Sequence, residues 1–135
     1  MQMTDGSDVM LFQLRRKDGS IDPHSSGSFI EPSGRTSRVT GAMTPGRRWT
    51  SPIKTGGVAA TYPVEWSVRI PEAALDLRVR AVVDDQELRT PDSTGVTYWE
   101  GAIDVTGTHA GTPIRGRGYL EMTGYAGRAM GDVMR

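Results

Sequence analysis

Tyr98-Trp99-Glu100-Gly101-Ala102-Ile103-Asp104-Val105 alternates in character and sets two aromatic rings beside a carboxylate. A second stretch of similar make-up follows, Gly118-Tyr119-Leu120-Glu121-Met122-Thr123. Two-residue alternation of this kind marks strands with one buried face, and the pair reads as a β-hairpin over 97–106 and 113–123 with its turn at 107–112.

The rest of the chain repeats the pattern. Along 62–70, Tyr62, Val64, Trp66, Val68 and Ile70 fall on one face, with Glu65, Ser67 and Arg69 on the other. Along 75–82, Leu75, Leu77, Val79 and Ala81 alternate with Asp76, Arg78 and Arg80. The turn between these strands sets Arg69 opposite Asp76 as a surface ion pair, and 83–88 reads as a bent continuation. Upstream, 27–31 and 35–39 form a hairpin across Pro32-Ser33-Gly34. The run 9–15 is apolar on both faces apart from Gln13, which predicts a central strand. Its only hairpin partner is Met1 to Thr4, so the N-terminus reads as cut inside a hairpin. A short strand is expected at 48–51, loops over 40–47 and 89–96, and a mobile Gly-rich connection over 52–61.

About eight strands in meander order result, without a helical stripe beyond one turn near Glu72. Sheets of this kind avoid exposed edges by closing, and eight strands enclose a space that side chains fill or one ligand occupies. The expected fold is all-β, an antiparallel up-and-down lipocalin-like barrel, with a β-sandwich as the competing architecture. The domain spans 1–125, and a polar tail covers 126–135.

Composition agrees. The 135 residues fit one domain, and the 17 glycines and 8 prolines are spread as turns between short strands are. Sixteen basic residues balance sixteen acidic ones, which gives no push toward nucleic acid or an anionic membrane. The absence of cysteine excludes disulfides, thiol catalysis and thiolate metal sites. No apolar run has the length of a transmembrane helix, and the first residues are not a signal peptide. Localisation stays open at this point.

His24 and His109 lie in expected loops without partners at metal-ligand spacing, so neither a metal nor another cofactor is expected. No serine occupies a strand–turn–helix elbow, and a hydrolase triad has no support. The carboxylates Glu65, Glu100, Asp104 and Glu121 lie in strands rich in aromatics. Their simplest role is to face solvent. A carboxyl lining a barrel cavity would instead hold its proton above the usual carboxylate range, because desolvation disfavours the anion. It would then protonate an alkene or polarise a carbonyl at neutral pH. Glu100, flanked by Tyr98 and Trp99, is the first candidate for that role. Glu121, beside Tyr119, is the second. Trp49, Trp66, Tyr98, Trp99 and Tyr119 are the candidate pocket wall for an apolar ligand, with core packing as the alternative use of the tryptophans.

Taken with 116–125 downstream, Tyr98-Trp99-Glu100-Gly101-Ala102-Ile103 resembles the C-terminal signature of the carotenoid 1,2-hydratase and AttH-like proteins. Met10-Leu11-Phe12-Gln13-Leu14-Arg15, Trp49-Thr50-Ser51-Pro52, Tyr62-Pro63-Val64-Glu65-Trp66 and Asp84-Asp85-Gln86-Glu87-Leu88 agree in order, and the similarity runs from about residue 5 to 125. The resemblance implies the second of two tandem lipocalin-like barrels, with the first strand and the sister domain lacking. It implies an apolar, unsaturated ligand, export to the periplasm or membrane surface, and the label of secreted hydrolase that such proteins often carry. Its chemistry would be cofactor-free hydration or isomerisation of an alkene. The other reading of the same resemblance is a non-enzymatic carrier, or the structural half of a two-barrel protein.

Overall fold

A computed structural model describes residues 1–55, 57–93 and 95–126. The tail expected over 126–135 therefore lies, past Ala126, outside the described residues, as does Gly56 of the expected mobile connection. The described chain forms twelve strands: β1 Gln2–Met3, β2 Asp8–Phe12, β3 Ser26–Ile30, β4 Thr36–Val39, β5 Ala42–Pro45, β6 Arg48–Thr55, β7 Val58–Pro63, β8 Glu65–Ile70, β9 Leu75–Ala81, β10 Glu87–Arg89, β11 Thr97–His109 and β12 Thr112–Met122. All their pairings are antiparallel.

One sheet runs β4-β3-β2-β1-β12-β11-β9-β8-β5, with β10 beside β11, while β6 and β7 form a separate hairpin. The two ends of that path, β4 and β5, are joined by Thr40-Gly41 alone. The sheet therefore curls until its first and last strands are successive stretches of chain. Glu72 fastens this corner, its carboxylate accepting the Thr40 amide at 3.1 Å and the Thr40 hydroxyl at 2.5 Å. The fold is an all-β, antiparallel, lipocalin-like barrel.

Alternation in sequence becomes alternation in burial. Along β8 and β9 the buried positions are Trp66, Val68, Ile70, Leu75, Leu77, Val79 and Ala81. Trp99, Ile103 and Val105 of β11 and Ile114 and Met122 of β12 join them. Each such aliphatic or aromatic side chain contributes about 1.5–3 kcal/mol when taken from water. Arg69 and Asp76 face each other across β8 and β9 at 3.3 Å, both well exposed, where such pairs add little.

The strand count exceeds the expected eight because loops in the sequence reading are strands in the fold. Residues 42–45 form β5, and the short strand expected at 48–51 extends through the stretch read as Gly-rich connection and folds back as the β6–β7 hairpin. Both carry prolines, Pro45 and Pro52, which read as loop signals. Yet β5 ends the path, and among the described residues β6 pairs with β7 alone, through a register shift between Thr50 and Lys54; edges and bulges are where proline is tolerated. The expected single strand 62–70 breaks at Val64, where the chain passes from the hairpin to the main sheet. The run 9–15 is not buried on both faces: Val9 is buried, but Met10, Phe12 and Leu14 are exposed.

Candidate functional site

β1 is two residues long, whereas the strands on either side of it continue. Gln2 pairs with Asp8 of β2 and with Arg117 of β12, so β1 holds these two strands one strand-width apart. Met1 completes the bridge. Its backbone carbonyl accepts the Val9 amide at 2.8 Å, and its ammonium donates to the Val9 carbonyl at 2.7 Å. Past Met1, among the described residues, β2 and β12 run on unpaired with each other.

A cavity of about 450 Å³ opens there, between Leu11, Phe12 and Gln13 on one bank and Tyr119 to Thr123 on the other. Met43 and Trp66 form its floor, and Arg15 and Tyr125 close one end. A smaller void of about 140 Å³ continues inward toward Val68, Val79 and Ile103. The interior is apolar; the rim carries Gln13, Arg15 and Glu121. At the closed end the Arg15 guanidinium sits 4.0 Å from the centre of the Tyr125 ring, a cation–π contact.

Tyr125 leads to a second feature. Its ring lies 5.5 Å from that of Tyr62, which in turn stacks on Trp49 at 6.2 Å. Tyr62 is wholly buried, and beside its hydroxyl lies Glu87, whose side chain is only 3% exposed. Oε1 of Glu87 accepts hydrogen bonds from the Ser51 hydroxyl at 2.9 Å and from Nε of Arg89 at 3.0 Å. Oε2 of Glu87 and the hydroxyl of Tyr62 are buried without a hydrogen bond of good geometry. Burial first, and the adjacent carboxylate second, hold the Tyr62 phenol well above its usual range.

The expected site residues fall into four groups. Trp66 lines both cavities, and its indole N–H donates to the Pro63 carbonyl at 3.1 Å. Trp49 is half-buried in the stack on Tyr62. Trp99 is wholly buried, its N–H donating to the Asp84 carbonyl at 2.7 Å. Glu100 and Glu121 lie directly opposite each other on β11 and β12, on the face away from Trp99 and Met122. Tyr98 and Tyr119 share that outer face. Tyr119 is 63% exposed on the cavity rim, and its phenol is raised by partial desolvation and by neighbouring Glu100. Thus Glu100, Glu121 and Tyr119 are brought together, while Trp49, Trp66 and Trp99 occupy separate surroundings.

The segment Asp84-Asp85-Gln86-Glu87 does more than the expected bent strand. The Gln86 side chain accepts the Ala102 amide at 2.9 Å and donates to the carbonyls of Ala102 and Val83. It thereby stands in for a strand beside β11, in space that a side chain on Gly101 would fill. Asp84 receives both terminal nitrogens of Arg47, at 2.6 and 2.8 Å, and that guanidinium holds its carboxyl below the usual range. The visible signal in sequence is three acidic residues and an amide in five positions; nothing local distinguishes the buried one.

Among the described residues no cluster of histidine, aspartate and glutamate has the arrangement to hold a metal ion, and no helix is long and apolar enough to cross a membrane. No curated protein matches the chain. Among solved structures, an AttH protein from Nitrosomonas europaea is similar over 92% of this chain and 37% of its own, at 36% identity and a TM-score of 0.74. Kievitone hydratase from Nectria haematococca is similar in fold over 89% of this chain and 36% of its own, at 22% identity and a TM-score of 0.70. The chain therefore spans little more than a third of either protein. The family model described as AttH-like matches residues 1–125, and the chain belongs to that family.

Proposed function

We propose that this barrel binds an apolar, unsaturated small molecule in the cavity between β2 and β12. One observation carries the reading: an opening of about 450 Å³ with an apolar floor and a few polar groups at its rim. Ligand pockets commonly have this size and make-up. A chain of conjugated carbons would lie on Met43 and Trp66, with its polar end toward Arg15 and Gln13.

The chemistry proposed at this site is addition of water to a carbon–carbon double bond without a cofactor. The proton donor proposed for one alkene carbon is the side chain of Glu121, which lines the cavity rim, with its cross-strand neighbour Glu100 beside it on the outer face. Water adds to the other carbon, and the proton it sheds returns to the carboxylate. Hydration is also the reaction in the name of the kievitone hydratase that shares the fold. A second reading, a non-enzymatic carrier or the structural half of a larger protein, is favoured by the apolar outer side chains of Met10, Phe12 and Leu14.

Tryptophan fluorescence tests the binding. A long polyene should quench saturably, and Trp66→Phe should remove most of that quenching while Trp49→Phe leaves it. A saturated fatty acid of equal length should bind less well. No saturable quenching of the folded chain would remove the ligand reading. Given binding, a hydration assay on Glu121→Gln and Glu100→Gln assigns the acid: undiminished turnover in both would remove these two carboxylates from the chemistry.

A further inference from the structure

We infer that His109 is the base of a second reactive site, one that hydrolyses small activated esters in a hollow at the tip of the β11–β12 hairpin. This site lies apart from the cavity between β2 and β12 and does not depend on a ligand there. Both histidines hydrogen-bond an aspartate through Nδ1, His24 to Asp22 at 2.8 Å and His109 to Asp5 at 2.7 Å. The two pairs differ in what holds them. Asp22 is two residues from His24 in the same loop, and the His24 side chain is 86% exposed. Asp5 stands 104 positions from His109, in the turn after β1, and the pairing of β1 with β12 brings it there. The rest of this second pair is fixed as well. The Ser7 amide and hydroxyl donate to the other carboxylate oxygen at 2.9 and 2.6 Å, and Ser7 is 1% exposed. The imidazole stands edge-on to the buried ring of Phe29, with centroids 5.7 Å apart.

An ionised aspartate only accepts hydrogen bonds, so Nδ1 of His109 carries the hydrogen and Nε2 keeps its lone pair. Nε2 has no partner among the described residues, and 29% of the side chain is exposed. A hollow of about 350 Å³ lies against it, lined by Thr4, Asp5, His109, Thr112, Pro113 and Ile114. A latch between the turn and the hairpin would need only the Asp5–His109 bond. A carboxylate oriented from behind, a fixed ring and a free basic nitrogen at a hollow are the parts of a general base. Ser7 sits on the far side of Asp5, so it orients the carboxylate and does not attack. The nucleophile is therefore water, which the open hollow admits. Nε2 takes a proton from that water as the water oxygen bonds to the ester carbonyl carbon. Asp5 stabilises the imidazolium so formed. The tetrahedral intermediate then breaks its bond to the alcohol oxygen, and Nε2–H returns the proton to that oxygen. The products are a carboxylic acid, an alcohol and the neutral imidazole. One group makes both proton transfers, so the site favours esters whose leaving group departs readily, such as aryl esters of short acids.

The test uses the whole chain with p-nitrophenyl acetate as probe, and follows release of p-nitrophenolate. Turnover should saturate with ester. His109→Gln should lower kcat/KM by about a hundredfold, the low end of what a positioned acid–base group supplies. His24→Gln should leave it unchanged. Asp5→Asn should lower kcat with KM held. Nitrogen NMR of the imidazole supplies the reason: the His109 hydrogen should sit on Nδ1 in the whole chain and be shared between the two nitrogens in Asp5→Asn. Diethyl pyrocarbonate tests the unaltered chain, independently of how any variant folds. Activity should fall in step with carbethoxylation of His109, read by peptide mass spectrometry. Equal losses in the two histidine variants would mean that any exposed imidazole suffices, and would overturn the site. So would a rate that rises linearly with ester, as free imidazole gives. Undiminished turnover in His109→Gln or Asp5→Asn, or activity that outlasts modification of His109, would overturn it too. Neither Trp66 nor Glu121 takes part, so failure here leaves the alkene reading untouched.

Discussion

A carboxylate buried as deeply as Glu87 needs its charge answered locally, and only Oε1 is visibly answered, by Ser51 and Arg89. Truncation to alanine removes the acceptor for both donors, and breaking a buried charged pair typically costs about 3–5 kcal/mol. Glu87→Ala should therefore lower stability by about 3 kcal/mol in urea denaturation. Tyr62→Phe removes a hydroxyl that has no well-formed bond, and should change stability by less than about 1 kcal/mol. A large loss in Tyr62→Phe would mean that its hydroxyl is bonded to Glu87 after all. At the acid end, two other carboxylates matter. Desolvation pushes Asp5 upward, but the hydroxyl and amide of Ser7 and the ring of His109 outweigh it and bring the group to about 2. The amide and ring of His24, then Arg16, bring Asp22 to about 2 as well. Both lie below their unfolded value of 3.8, so their contribution is complete above that pH. It is lost as pH falls from about 4 toward 2, where protons bind the unfolded chain first. The double variant Asp5→Asn, Asp22→Asn should show a shallower fall in stability across that window. An unchanged slope would remove these groups from acid unfolding.

At the scale of strands, the long β11–β12 hairpin depends on close approach to β9. A side chain on Gly107 would place Cβ 2.1 Å from the carbonyl oxygen of Asp76, in a neighbouring backbone that cannot swing aside. Gly107→Ala should cost about 2–3 kcal/mol, as overpacking does, and lower the melting temperature accordingly. Gly111, at φ +80 in the turn with nothing within 4 Å, should cost only about 1 kcal/mol as alanine, the penalty of the left-handed conformation. Equal losses would show that the β9 contact is soft. β8, β9, β11 and β12 were legible in the sequence because each has one face in the core and one in water. β2 was not. Met10, Phe12 and Leu14 look like core residues, but Met10 and Phe12 lie on the outward face of β2 and Leu14 is exposed just beyond its end. β5, and β6 and β7 over the stretch 52–61, were masked by Pro45, Pro52 and the glycines, because local turn chemistry says nothing of where a strand sits in a sheet.

For the whole molecule, closure is what turns separate strands into a site. Trp66, Met43, Leu11 and Leu120 come from four strands far apart in sequence, and only the curl of the sheet gathers them. Periodicity marked Trp66 as inward, and could not say whether the space before it was filled. It also could not separate Glu100 and Glu121, on the outer face, from Glu87, on the inner. Occupancy of that space separates a binding barrel from a structural one. Leu120 faces both cavities, and Leu120→Trp would project an indole into them. Enlarging a side chain inside a packed core costs about 1–3 kcal/mol, but here the added atoms enter open volume and replace water contact with protein contact. The variant should therefore keep its melting temperature, or raise it slightly. A polyene bound over Met43 and Trp66 would meet the new ring, and its affinity should fall at least about tenfold, the loss of a contact worth about 1.4 kcal/mol. Retained stability with weakened binding locates the ligand in the barrel. Retained stability with unchanged binding moves the ligand elsewhere. A marked fall in melting temperature would mean that the opening closes in solution, with Leu120 packed against the far bank.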